Sequence, residues 1–227
     1  MKKSRIIIIL IVLNVFIGSG LYLLKDKYDQ MDDQKKVYNR INTYTSTTDN
    51  NKEIDFDALL KENEDVIGWI YIPDTKVDEP ILKGETNDTY LRTNLEGKHQ
   101  ISGSIFIDHI NNTDFNDIQT IIYGHHMRNG TKFSVLEDYM KESYLQEHNK
   151  IYIYTPSVNY TYTVIASAEI RKNSYLYANE VTVYDLLTNA DICEITDKDT
   201  INHCIMLSTC VSTGSSDRYV VWASRDE

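Results

Sequence analysis

Eight short runs of β-forming residues, at 66–72, 77–83, 103–108, 119–124, 150–155, 160–170, 201–210 and 218–224, leave this chain few ways to fold. Several alternate with period two, as in Tyr160-Thr161-Tyr162-Thr163-Val164, and turn residues such as Pro73-Asp74 and Pro156-Ser157 separate them. Strands this short bury a common apolar face either by closing on themselves or by stacking in two layers. The pattern therefore points to a mainly β fold, a small closed barrel or a sandwich. The seventeen tyrosines suit it, because an aromatic ring with a polar tip fits a half-exposed sheet position.

Helical patterns frame and interrupt the strands. Residues 54–65 place Phe56, Leu59 and Leu60 on one face, with acids at the start that suit the helix dipole. Residues 133–140 and 141–148 carry a 3.6-residue apolar period, and 183–189 reads as a short helix inside the long connection between 170 and 201. A connection of that length serves either as a wall of a binding site or as a surface insertion.

The N-terminus is different in kind. Residues 6–24 are apolar apart from Asn14, Gly18, Ser19, Gly20 and Tyr22, long enough to cross a ~30 Å bilayer core, and follow Lys2, Lys3 and Arg5. The positive-inside rule makes 1–5 a cytoplasmic tail and 6–24 a single transmembrane anchor, followed by a polar stalk at 25–53 and an extracellular domain at 54–227. A cleaved signal peptide competes with this reading, although the apolar run continues past the small residues at 18–20. Beyond residue 27 the chain holds 18 basic against 33 acidic residues, net −15, which excludes nucleic acid as a natural partner.

Cys193, Cys204 and Cys210 are too few for a disulfide scaffold, and their odd number leaves at least one thiol unpaired within a monomer. Cys210 ends the apolar run Leu207-Ser208-Thr209-Cys210, and Arg218 opens the next run after a polar turn. A hairpin of this kind sets a thiol beside a fixed, forked cation able to hold a developing oxyanion. Another run delivers Tyr123-Gly124-His125 to its end, which supplies an imidazole for proton exchange. Thiol, imidazole and guanidinium are the parts of acyl transfer through a thioester. His125 and His126 point to opposite faces of a strand, no further ligands present themselves, and the sequence indicates neither a metal site nor a cofactor. Strand alternation makes Cys204 a packed barrel residue, and no basic neighbour activates Cys193.

The combination of Tyr-Gly-His near mid-chain, Leu-Ser-Thr-Cys near the C-terminus, arginine eight residues later, an N-terminal anchor and eight strands resembles a sortase. The helical insert at 133–148, the helix-bearing stretch before the cysteine strand and the leading helix resemble class B in particular. The resemblance covers about residue 54 to the C-terminus. It implies an eight-stranded closed barrel carrying a cysteine transpeptidase that cleaves a Pro-x-Thr-type sorting signal after threonine. The acyl fragment of a surface protein then passes to an amine on lipid-linked peptidoglycan precursor, at the outer face of a Gram-positive cell membrane. By motif position the resemblance assigns Cys210 as nucleophile, His125 as acid/base and Arg218 as oxyanion or substrate-carbonyl ligand. It adds Tyr123, Ser208 and Asn94 as substrate-binding candidates, each of which also reads as ordinary strand packing or a turn residue. Asp108 either orients His125 or caps a turn, and stays outside the catalytic set. Two rivals remain: a secreted cysteine hydrolase using the same trio with water as acceptor, and a membrane-tethered binding module in which Cys210 merely ends a strand.

Overall fold

The computed structural model describes residues 2–48, 51–178, 180–195, 201–210 and 214–226. The chain divides into two compact units, Met1–Thr43 and Tyr44–Glu227. The first is one helix, α1 (Lys2–Ile41). It runs through residues 28–41 of the stretch expected over 25–53 as a polar stalk, and so makes a continuous helix of a segment in which the sequence offers at most a short one through Val37 and Ile41. That stretch lacks glycine and proline and is rich in helix-tolerant polar residues, including the i,i+4 pair Lys36–Asp32 at 2.6 Å. The transmembrane helix expected over 6–24 is not found: among the described residues no helix is long and apolar enough to cross a membrane. The side chains of 6–11 lie outside the described set, and 12–24 is shorter than the ~20 residues a crossing needs.

The second unit opens with a hairpin, β1 (Thr45–Thr48) and β2 (Asn51–Ile54), and helix α2 (Phe56–Glu62). Asp55 caps α2, its carboxylate accepting from Ala58 N at 2.9 Å. The nine further strands are β3 (Val66–Tyr71), β4 (Asp78–Leu82), β5 (Ile105–Ile107), β6 (Gln119–Tyr123), β7 (Lys150–Tyr154), β8 (Asn159–Arg171), β9 (Ile192–Cys193), β10 (Cys204–Cys210) and β11 (Asp217–Arg225). They hydrogen-bond in the order β11-β10-β6-β5-β4-β3-β7-β8-β9, and β11 also pairs with β8. That extra pairing closes eight strands into a barrel, as the family resemblance implied, and leaves the two-residue β9 paired only with Ala166 and Ser167 of β8.

Alternation sorts the side chains. Ile70, Ile81, Ile105, Ile122, Ile153, Val164, Leu207 and Val221, one from each barrel strand, belong to a single buried cluster that fills the interior. Phe133, Leu136 and Tyr139 join it from the segment Phe133–Met140. That segment is a 3₁₀-helix rather than the α-helix its pattern suggested, because buried positions three apart match three residues per turn. The helix α3 (Glu142–Glu147) follows it.

The opposite face of β6, β8, β10 and β11 packs a second cluster, in which Ile121, Cys204, Met206, Val220 and Trp222 meet Leu176, Val181 and Leu186. The last three come from the connection between β8 and β10, which holds a 3₁₀ turn (Tyr175–Tyr177) and α4 (Val183–Asn189). Buried Gln119 clamps this layer to the barrel: Trp222 Nε1 donates to its Oε1 at 3.0 Å, and its Nε2 donates to Leu176 O at 2.9 Å and Ala178 O at 2.6 Å. Replacing Gln119 by Leu keeps the volume and orphans an indole N–H and two carbonyls. An unpartnered buried polar group costs about 1–3 kcal/mol, so Gln119→Leu should lower the unfolding free energy in urea by about 3 kcal/mol; an unchanged midpoint would refute the clamp.

Candidate active site

Parallel strands end at the same edge of a sheet, and this rule builds the site. β10 pairs in parallel with β6 as far as Ser208 opposite Tyr123, and Gly124 N extends the ladder by donating to Ser208 O at 3.2 Å. Two residues farther along each strand stand Cys210 and His125, on the face shared by Ser208 and Tyr123. On its other side β10 pairs antiparallel with β11, and there Cys210 lies directly opposite Arg218. Three strands thus bring the three groups to one face of the sheet, on the outside of the barrel. They line one cleft of about 330 Å³. Val211, Ser212 and Thr213, which follow Cys210 in the sequence, lie outside the described residues.

Each member is held by local structure. Gly124 is required before the histidine because a Cβ there would lie 2.7 Å from the Phe133 ring, which plugs the barrel beneath it. His125 is half-buried, and its Nε2 lies 2.6 Å from the carbonyl oxygen of Leu91. His126, one residue on, faces away, with Glu137 at 3.3 Å and Tyr219 edge-on. Arg218 donates from Nη1 to Ser215 O at 2.8 Å and Asp217 O at 2.9 Å, so the turn's own backbone orients the guanidinium. Cys210 is partly accessible. Cys204 is buried, and burial pushes its thiol up to about 12, so it remains a neutral packing residue. Cys193, on β9, is away from the cleft lining.

The cleft floor is aromatic and hydrogen-bonded. Tyr123 and Tyr177 stack with ring centroids 6.3 Å apart. The Tyr177 hydroxyl is 2.7 Å from Ser208 Oγ, and the Tyr123 hydroxyl donates to Asp108 Oδ2 at 2.8 Å. Asn87 Nδ2 donates to the same carboxylate oxygen at 2.9 Å. Burial raises both tyrosine hydroxyls, that of Tyr123 further through the Asp108 carboxylate and that of Tyr177 to about 12, while Arg218 pulls both the other way. Both phenols therefore stay protonated, and Tyr123 is the donor in its bond to Asp108. The expected residues Tyr123 and Ser208 line the cleft; Asn94 does not, its Oδ1 instead accepting from Lys98 N at 2.9 Å to close a turn. Asp108 is occupied by Tyr123 and Asn87, and the partner of His125 is the Leu91 carbonyl. Tyr177, Asn87, Leu91 and Lys172 also line the cleft, none of them singled out from the sequence. Among the described residues no group of three or more His, Cys, Asp or Glu side chains is placed to hold a metal.

A closed β-barrel with a thiol, an imidazole and a guanidinium in one outer cleft defines a cysteine acyl-transfer enzyme in architecture. The sortase domain model matches residues 70–226. Sortase B of Listeria monocytogenes is 36% identical over 179 residues, 75% of this chain and 72% of that protein; sortase B of Staphylococcus aureus is 34% identical over 146 residues, 63% and 59%. A Staphylococcus aureus sortase B–substrate complex superposes with TM-score 0.69 at 26% identity, covering 89% of this chain and 97% of the other. A Streptococcus pyogenes class B sortase involved in pilus biogenesis gives 0.68 at 26% identity, covering 75% and 97%. The chain belongs to the sortase family, and within it to class B; it is a cysteine transpeptidase.

Burial holds the His125 pKa below the usual 6.5; the Leu91 carbonyl opposes this by favouring the charged ring, and Arg92 and Lys132 reinforce it. The net direction is down, so the ring loses its proton before the solution reaches an ordinary histidine midpoint. An NMR titration of His125 should give a midpoint below 6.5; a midpoint above that value would contradict the buried placement.

Proposed function

We propose that the enzyme cleaves a Pro-x-Thr-type sorting signal after threonine and transfers the acyl fragment to an amine of a peptidoglycan precursor. Cys210 is the nucleophile, His125 the acid/base and Arg218 the oxyanion ligand. The observation that carries this reading is the strand register, which sets Cys210 beside Arg218 and ends the parallel β6 and β10 at one edge. The chemistry then follows in two balanced steps. Cys210 gives its thiol proton to His125 as sulfur bonds to the threonine carbonyl carbon, the guanidinium holds the oxyanion, and the C–N bond breaks as the imidazolium passes that proton to the departing amine. A second amine attacks the thioester, His125 takes its proton, and the C–S bond breaks as the ring returns that proton to sulfur, regenerating the thiol. The stacked Tyr123 and Tyr177 give the peptide an apolar floor, and Ser208 lies at its edge.

The N-terminal sequence supports the proposed location. Residues 6–24, preceded by three basic residues, support a single-pass anchor with the N-terminus in the cytoplasm and the catalytic unit facing the cell wall. Eight apolar side chains between Val12 and Leu24, together with Tyr22, are exposed on α1, which suits a lipid environment. Alkaline carbonate should leave the full-length protein in the membrane pellet, whereas its release to the supernatant would sink the anchor.

Cys210→Ala should abolish cleavage of a Pro-x-Thr-Gly peptide. Arg218→Lys should lower kcat by about 10²–10³, because a point charge does not replace a planar fork aimed at an oxyanion. With an amine present the wild-type product should be the ligated peptide; acid alone would identify a hydrolase, and turnover by Cys210→Ala would refute the site.

A further inference from the structure

The bond that holds the His125 ring goes to a backbone atom, Leu91 O, 2.6 Å from Nε2. A carbonyl only accepts, so Nε2 carries the proton and Nδ1 keeps the lone pair when the ring is neutral. The connection between β4 and β5 places that carbonyl by folding back on itself. Ser104 N donates to Tyr90 O at 3.1 Å, Ser104 Oγ to Thr93 O at 2.8 Å, and Gln100 N to Arg92 O at 2.9 Å. Tyr90 is buried, and its hydroxyl donates to Asp65 at 2.6 Å, which ties the fold-back to the segment after α2.

Across this fold-back runs Gly103, buried and with φ +51°. A Cβ at this position would lie 2.4 Å from Leu91 O and 2.6 Å from Tyr90 O. Both neighbours are backbone oxygens, which cannot swing aside as a side-chain end does. Only a hydrogen at that place lets the Leu91 carbonyl stand where His125 meets it.

We propose that Gly103 is a positioning residue for the acid/base: by leaving room for the Leu91 carbonyl, it fixes the His125 ring as the Nε2–H tautomer and reserves Nδ1 for proton exchange. The proposal rests on the reading of His125 as the acid/base. The charged groups around the ring are Arg92, Lys132 with its buried partner Glu79, and, lining the cleft, Asp88, Asp108, Lys172 and Arg218. A substitution at 103 alters the charge of none of them, so a changed His125 titration reports on the carbonyl.

The test compares Gly103→Ala with Gly97→Ala in the full-length protein. Gly97 belongs to the same connection and also has positive φ, +74°, but a Cβ there meets nothing within 4 Å. It therefore carries comparable backbone strain without the carbonyl contact. Gly103→Ala should lower kcat at least about tenfold with KM for the peptide within about twofold, and should move the His125 midpoint to lower pH, because the acceptor that favoured imidazolium withdraws. Gly97→Ala should change neither. Equal effects of the two variants, or an unmoved midpoint in Gly103→Ala, would overturn the proposal. Nitrogen-15 shifts of the wild-type His125 ring give the tautomer whether or not Gly103→Ala folds: Nε2–H supports the proposal, and Nδ1–H overturns it. Turnover surviving in His125→Ala would instead sink the acid/base reading, and the tautomer result would stand apart from it.

Discussion

The parallel pairing of β6 with β10 is the constraint on which the site depends. Antiparallel neighbours alone would send their C-terminal residues to opposite edges of the sheet; the parallel register, with Ser208 opposite Tyr123, sends both strands out at one edge. Barrel closure makes that register hard to change, because β10 is also paired along its whole length with β11 and β11 in turn with β8. A one-residue slip would turn Cys210 and Arg218 inward and move Leu207 and Val221 out of the core. Hydrophobic burial inside the barrel thus enforces the geometry of polar groups outside it.

The outer face is made into a cleft by the connection between β8 and β10. Its apolar residues Leu176, Val181 and Leu186 cover the outer side of β10 and β11, and the Gln119 clamp fastens its first turn, so Tyr177 is delivered to the cleft from a rigid support rather than from a loose loop. Stacking on Tyr123 completes the floor. The apolar rings reduce local dielectric screening around Arg218, which strengthens its hold on an oxyanion, and the hydrogen bonds that Arg218 donates to the Ser215 and Asp217 carbonyls orient the guanidinium beforehand. Cys204 shows the other outcome for a thiol on the same strand face: sealed beneath that cover, it is kept neutral by burial.

Much of this was readable from the residues. All eight barrel strands were found because period-two alternation and turn residues are local signals, and Cys210, His125 and Arg218 were found because each stands where a strand ends or begins. The two-residue β9 was not, since two residues carry no period. Residues 28–41 were read as a stalk because polar composition marks solvent exposure, which a lone helix shares with a linker. Leu91 was invisible for a deeper reason. It acts through a carbonyl, an atom common to every residue, and its place is set by the close approach of Gly103 twelve residues later. Asn94 was drawn in by the family resemblance, whereas its side chain serves its own connection's turn. Tyr177 was one tyrosine among seventeen, and only the packing of Leu176 against the sheet brings it to the cleft.

The central claim, that Cys210 is the sulfur which the sheet presents to a peptide carbonyl, is tested most directly by trapping the acyl-enzyme. Wild-type protein incubated briefly with a Pro-x-Thr-Gly peptide, quenched in acid and measured by intact-mass and peptide-mapping spectrometry should gain the mass of the acyl fragment, localised to Cys210 and discharged by added amine. An adduct on Cys193, or turnover of the peptide with no thioester at Cys210, would contradict it.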